Sequence, residues 1–189
     1  MIGGTQPSAE LVERLRTTIN LHAREDFGVF EYRGVEYPSY IRDGNAACFI
    51  APVAAHFCNG TGYDVGSGKW PVQIEAVTIG VDILNGGNAM QLPGRVVDFV
   101  FSSHCLEHLD DPIAALKHWM SRIRNEGTLF LYLPHPDMEY WRPENNLKHR
   151  HIWYPERMEE IFLALGLRHV VRSERDGYWS FFIAGQVHR

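Results

Sequence analysis

Three short apolar runs in the chain stop on residues able to hold a ligand. The first, TGYDV, passes into GSG, so that Gly66 and Gly68 flank Ser67 just behind Asp64. Glycine at both positions lets the backbone turn sharply and come close to a bound molecule that a Cβ would repel. The second, VTIGV, stops at Asp82, and a carboxylate at a strand end can accept both hydroxyls of a ribose. The third, VDFVF, leads into Ser102, Ser103 and His104. Consecutive strands ending in glycine and aspartate point to a ligand that carries a sugar. A pyrophosphate would need the N-terminus of a helix directly after Gly68, where Lys69, Trp70 and Pro71 leave little room for one. That disfavours a nicotinamide dinucleotide and favours a nucleoside cofactor without phosphates.

The elements that must carry these residues read as an α/β fold. Strands are expected over residues 61–65, 77–83, 96–102 and 128–133, followed by a closing pair, 167–173 and 178–187, that turns at Asp176 and Gly177. Neither the link between the first two strands nor LNGGNAMQLPG after Asp82 is long enough for the usual crossover helix. Asp111 can cap a helix from Pro112 in which Ile113, Leu116, Met120 and Ile123 share a face and which Gly127 stops. Pro155 starts another, carrying Met158, Ile161, Phe162 and Leu165 and ended by Gly166. The fold expected for residues 60–189 is a three-layer, Rossmann-like, mostly parallel sheet with helices on both faces, a C-terminal antiparallel hairpin and reduced first crossovers. Residues 1–59 read as an N-terminal helical segment, a cap or packing extension. There Ser8 caps a helix with Leu11, Leu15 and Ile19, FGVFEYRGVEYPSY turns at Arg33 and Gly34, and a helix bent near Pro52 spans 44–57.

With 189 residues and 45% hydrophobic content, the chain can bury one substantial core. A net charge of -5 argues against a dedicated nucleic-acid binder, whose face would be basic. Cys48, Cys58 and Cys105 form no CxxC pair, which suits a reducing, cytoplasmic setting better than a disulfide framework. No stretch approaches the ~18 apolar residues of a membrane span. A soluble protein without nucleic-acid or membrane partners is expected.

The succession DVGSG, VDI, NAMQLP, DFVFSSHCLEHLDDP and GTLFLYLPHP, closed by the hairpin, resembles a class I S-adenosylmethionine-dependent methyltransferase. The resemblance covers roughly residues 60–187. It implies that Asp64, Gly66, Ser67 and Gly68 lie along the methionine part of S-adenosylmethionine and that Asp82 binds its ribose. Ile83 would pack on the adenine, Asn88, Ala89 and Met90 would meet its edge, and Ser102, Ser103 and His104 would close over the sulfonium. Two substitutions depart from the family pattern: Trp70 replaces the third small residue of the glycine loop, and Asn88 an expected aspartate. The short crossovers resemble a subset associated with surface-glycan and lipopolysaccharide assembly, which suggests a small-molecule or glycan-like acceptor.

A methyl group on a sulfonium is already activated, so the protein must mainly align a nucleophile and, for a protonated one, supply a base. His104 and His135 sit after consecutive strands and are the candidate bases. Arg142, Lys148, His149 and Arg150 form the one basic stretch and can hold a phosphate or carboxylate of the acceptor. His104, His108, His135, His149 and His151 invite a metal reading, but nothing in their spacing makes them converge, and no metal site is expected. A second reading, from another class, is a cofactor-binding protein without catalysis whose pocket Trp70 and the short loops crowd.

Overall fold

The computed structural model describes residues 28–39, 42 and 46–189. The expected helix carrying Leu11, Leu15 and Ile19 lies outside the described residues. A six-stranded sheet has the order β4-β3-β5-β6-β8-β7. Its strands are β3 (Thr61–Val65), β4 (Val77–Val81), β5 (Val97–Ser103), β6 (Ile123–Pro134), β7 (Arg168–Arg172) and β8 (Ser180–Gln186). Strands β4, β3, β5 and β6 run parallel, while β8 is antiparallel to both β6 and β7. The chain leaves β3 outward to β4 and returns to β5 on the other side. The carboxyl ends of β3 and β5 therefore flank the switch point where open α/β sheets bind ligands.

Both faces of the central strands are buried, and the side-chain alternation sorts them by shape. Phe99 and Phe101 of β5, Phe130 and Tyr132 of β6 and Phe182 of β8 face an aromatic core closed by helix α1 (Ala47–Phe57). Val100, Leu129, Leu131, Leu133, Phe181 and Ile183 face a second core, closed by α2 (Pro112–Arg122) and α3 (Pro155–Ala164) through Leu116, Trp119, Met158 and Phe162. Helix α1 runs through Pro52, which lacks the N–H that a helix interior would use. Ahead of it, β1 (Val29–Tyr32) and β2 (Val35–Pro38) form a hairpin turning at Arg33 and Gly34, as expected. Phe30 and Tyr32 pack edge-on against Tyr140.

Asp111 caps α2 by accepting from Ala114 N at 2.9 Å, with Pro112 at its first turn. The helix ends at Arg122, short of the expected stop at Gly127, and Ile123 already pairs with Val97 at the start of β6. Ile123 is fully buried in the same core that the helix faces. Its helical spacing reported that burial correctly while the backbone had already become extended. Asp98 reinforces this end of the sheet, accepting from Thr61 N at 2.7 Å and Arg124 Nε at 2.6 Å. No helix intervenes between β3 and β4 or between β4 and β5 beyond a single turn at Ile83–Asn85. The two reduced crossovers are thus present. No helix of the described residues is long and apolar enough to cross a membrane.

Candidate active site

At the end of β3 the chain turns through Gly66, whose φ of 80° is a left-handed conformation suited to glycine. A Cβ there would lie 2.4 Å from Cys105 Cβ, so the turn fits tightly against the segment after β5. Asp64 is buried and accepts from Val72 N at 2.8 Å; burial pushes its carboxyl up to about 6. At the end of β4, Asp82 accepts from Leu84 N at 2.9 Å and Gly68 N at 3.0 Å. Its own N–H donates to Asn85 Oδ1, completing a capping box. One carboxylate thereby couples the glycine loop to the next strand. Ile83 stands beside it, 84% exposed. Asn88 accepts from Met90 N at 2.8 Å, Ala89 carbonyl accepts from Trp119 Nε1 at 2.6 Å, and Met90 packs on the core shared with α2.

At the end of β5 the three expected residues separate. Ser102 is buried and donates to Val65 O at 2.9 Å, which ties two strand ends together and takes it out of the cleft wall. Ser103 lines the cleft, while its Oγ is turned out of solvent's reach and has no hydrogen-bond partner among the described residues. His104 adopts φ 48°, an uncommon conformation outside glycine, and turns its ring between Trp141 and Tyr132. Its Nε2 lies 3.0 Å from Ser180 Oγ. That hydroxyl also lies 3.3 Å from Tyr178 O, so one serine anchors the ring to the turn before β8. Burial, then His149 and His108, hold His104 well below the usual imidazole range, so it is neutral at pH 7.

A cavity of about 420 Å³ opens between these ends. Asp64, Gly66, Ser67 and Gly68 form one wall, with Trp70 half-exposed beside them. Ser103, His104, His108, Tyr140, Trp141, Lys148 and His149 line it further, with the His108 and His149 rings in contact. Arg42, Ala46 and Ala47 close a third side. Trp70 therefore lines the cleft and leaves it open. Of the basic stretch, Lys148 and His149 reach the cleft and two arginines do not. Arg142 Nε donates to Pro136 O at 2.8 Å, and Arg150 pairs with Asp110. His135 is also displaced: it lines a separate small cavity with Trp141 and Arg142 and accepts from Asp137 N at 3.2 Å.

The residue that sequence reading passed over is Glu107, in the turn Leu106–His108. It is fully buried, and its carbonyl accepts from Arg150 N at 2.8 Å, which brings His149 against His108 with 4.7 Å between ring centroids. Burial raises the Glu107 carboxyl to about 7 and lowers His149 to about 4. The pattern H-x-x-E-H, residues 104–108, was the only sequence signal for it, and its partner His149 arrives through tertiary structure.

The match of a family model described as a methyltransferase domain extends over residues 42–172, more than half of the chain. No curated protein matches the sequence. Among solved structures, a complex between the Haloferax volcanii Trm112 methyltransferase activator and a putative methyltransferase is similar at 13% identity, covering 79% of this chain and 92% of that one, with a TM-score of 0.58. A SAM-dependent methyltransferase from Archaeoglobus fulgidus is 19% identical over 71% of this chain and 89% of its own, with a TM-score of 0.55. A possible histamine N-methyltransferase from Thermotoga maritima is 15% identical over 78% and 96%, with a TM-score of 0.56. At these identities the structural likeness speaks for the fold, and the family match speaks for the kind of enzyme. The chain belongs to the methyltransferase-domain family and is a methyltransferase whose cofactor is S-adenosylmethionine.

Proposed function

We propose that the cleft between β3 and β5 binds S-adenosylmethionine along Gly66, Ser67 and Gly68 and that the enzyme methylates a small-molecule acceptor held against Lys148 and Trp141. The single observation that carries this reading is the cavity at the carboxyl ends of β3 and β5, which Gly66, Ser67, Gly68, Ser103 and His104 line together. Beside Gly68, Asp82 supports the ribose end, and the exposed Ile83 supports an adenine packed on its side chain. Asn88, Ala89 and Met90 follow on the loop anchored by Trp119 and suit the adenine edge. The residues thus fit the cofactor, which when bound supplies a methyl group already activated on sulfur.

What the chain adds is alignment and exclusion of water. Trp70, Tyr140 and Trp141 offer flat faces to a ring or sugar, and Arg42 and Lys148 suit an anionic group. The His104 ring, part of the cleft lining, suits a base for an acceptor that must lose a proton, and its low proton affinity matches it to an acidic one. His135 opens elsewhere, so the base reading rests on His104. Arg42, Ala46 and Ala47 on the cleft wall support residues ahead of 60 as a cap.

Titration calorimetry with S-adenosylmethionine and S-adenosylhomocysteine tests the reading directly. One-to-one binding of both is expected, and failure of both at millimolar concentration would sink it. Given an acceptor, His104→Ala should lower kcat with cofactor affinity unchanged; parallel losses would make the ring structural.

A further inference from the structure

Glu107, His108 and His149 each present one ligand atom, and all three atoms lie within 4.8 Å of one another. The Glu107 carboxylate is fully buried, and neither oxygen makes a geometrically sound hydrogen bond to any described residue. Its near neighbours are imidazole nitrogens: His108 Nε2 at 3.8 Å and His104 Nδ1 at 3.7 Å from Oε1, both beyond hydrogen-bond reach.

The orientation of the imidazoles carries the argument further. His108 Nδ1 lies 2.7 Å from Lys148 O, and a carbonyl only accepts, so that nitrogen bears the proton. In the neutral ring Nε2 is then a bare lone pair turned towards Glu107. The His149 ring is likewise held by a hydrogen bond to the backbone carbonyl of Trp141. Backbone carbonyls that fix one nitrogen and free the other are the usual support of metal-binding histidines. A lone pair on His108 Nε2 facing a buried carboxylate is repelled by it, and a proton on either atom stands 3.8 Å from the other, too far for a bond. A cation at the centre turns all three contacts attractive. With bonds of ~2.1 Å its ligand atoms stand ~3.4 Å apart, so the 3.8 Å contact needs only a small side-chain adjustment.

We propose that Glu107, His108 and His149 bind a divalent transition-metal cation beside the cleft. Two imidazoles and one carboxylate suit zinc, manganese, iron or cobalt and leave further coordination positions unfilled by protein. His108 and His149 both line the cleft, so those positions face the space where the acceptor lies. Resting on the methyltransferase reading, the cation would hold an oxygen of the acceptor and lower its proton affinity.

The test uses the full chain stripped with chelator and titrated with cobalt(II), whose visible absorption reports its ligands. One cobalt per chain by elemental analysis, a new visible band, and affinity at least ~10-fold weaker in both Glu107→Gln and His149→Ala are expected. Substoichiometric uptake by the unaltered chain would overturn the proposal, as would uptake that both variants leave unchanged. Circular dichroism of each variant separates lost ligands from lost fold, and the result for the unaltered chain stands regardless. Calorimetry of the stripped protein with S-adenosylhomocysteine keeps the two readings apart. Cofactor binding without cobalt uptake removes the metal alone, and cobalt uptake without cofactor binding leaves the cation site and removes the cofactor reading.

Discussion

On the β4 side of the cleft, polar side chains bond mostly within their own loops; in the turn after β5, the histidines bond to residues 40 and 76 positions away. Asp82, Asn85 and Asn88 each satisfy amides within a few residues, apart from the one bond from Gly68 to Asp82. His104 leans on Ser180, His108 on Lys148, and the Glu107 carbonyl on Arg150 and His151. The first half leaves its surface exposed, as at Ile83, and presents backbone and carboxylate. The second buries imidazoles and a carboxylate in one cluster. Local bonding suits a cofactor that is the same in every turnover. Long-range bonding fixes the angles of reactive groups, which a flexible loop would not hold.

Substitutions can break this contrast, beginning with the largest effect. Gly66→Ala forces a side chain into a left-handed turn and against Cys105. It should lower stability by about 3 kcal/mol in urea unfolding. A loss below about 1 kcal/mol would show that the turn yields easily. Asp82→Ala should weaken S-adenosylhomocysteine binding by about 1.5 to 3 kcal/mol in calorimetry, and an unchanged affinity would remove Asp82 from the cofactor half. Lys148→Ala should leave that affinity within about twofold while raising KM for an anionic acceptor about tenfold, the strength of one charge-assisted contact. Equal effects on both ligands would erase the distinction between the halves.

The smallest effect lies at the opposite end of the sheet. The Thr61 amide, then the Arg124 guanidinium, hold the Asp98 carboxyl below the usual range against the opposing effect of burial. A lowered folded value means stability that is present above the unfolded pKa of ~3.9 and lost as pH falls through the folded one. Asp98→Asn should therefore cost about 1 kcal/mol near neutrality, discounted for partial exposure, and the gap to the unaltered chain should close in acid. Cofactor affinity should not move.

The same contrast explains what could be read before the structure. The Asp82 and Asp111 caps act within a few residues of themselves, so strand ends and short crossovers were visible in the sequence. Ser102 and Ser103 shared one expectation, yet the Ser102 hydroxyl is tied to Val65 while Ser103 is the one that lines the cleft. Arg142 and Arg150 were grouped with Lys148 by proximity in the chain, but each is claimed by a partner that spacing does not reveal. Glu107 looked like one residue of a turn, since the loop bringing His149 to it folds back from forty-odd positions away.

The bond from His104 to Ser180 gives the molecule an order of assembly in time. Ser180 opens β8, the last strand in the sequence, and the Asp176 carboxylate shapes the turn before it by accepting from Tyr178 N at 2.8 Å and Ser180 N at 2.9 Å. During synthesis the glycine turn and Asp82 can meet as soon as β3 and β4 have emerged. The ring of His104 finds its partner only after β8 has been made and inserted beside β6. A growing chain thus has both strands beside the glycine turn well before His104 can meet Ser180.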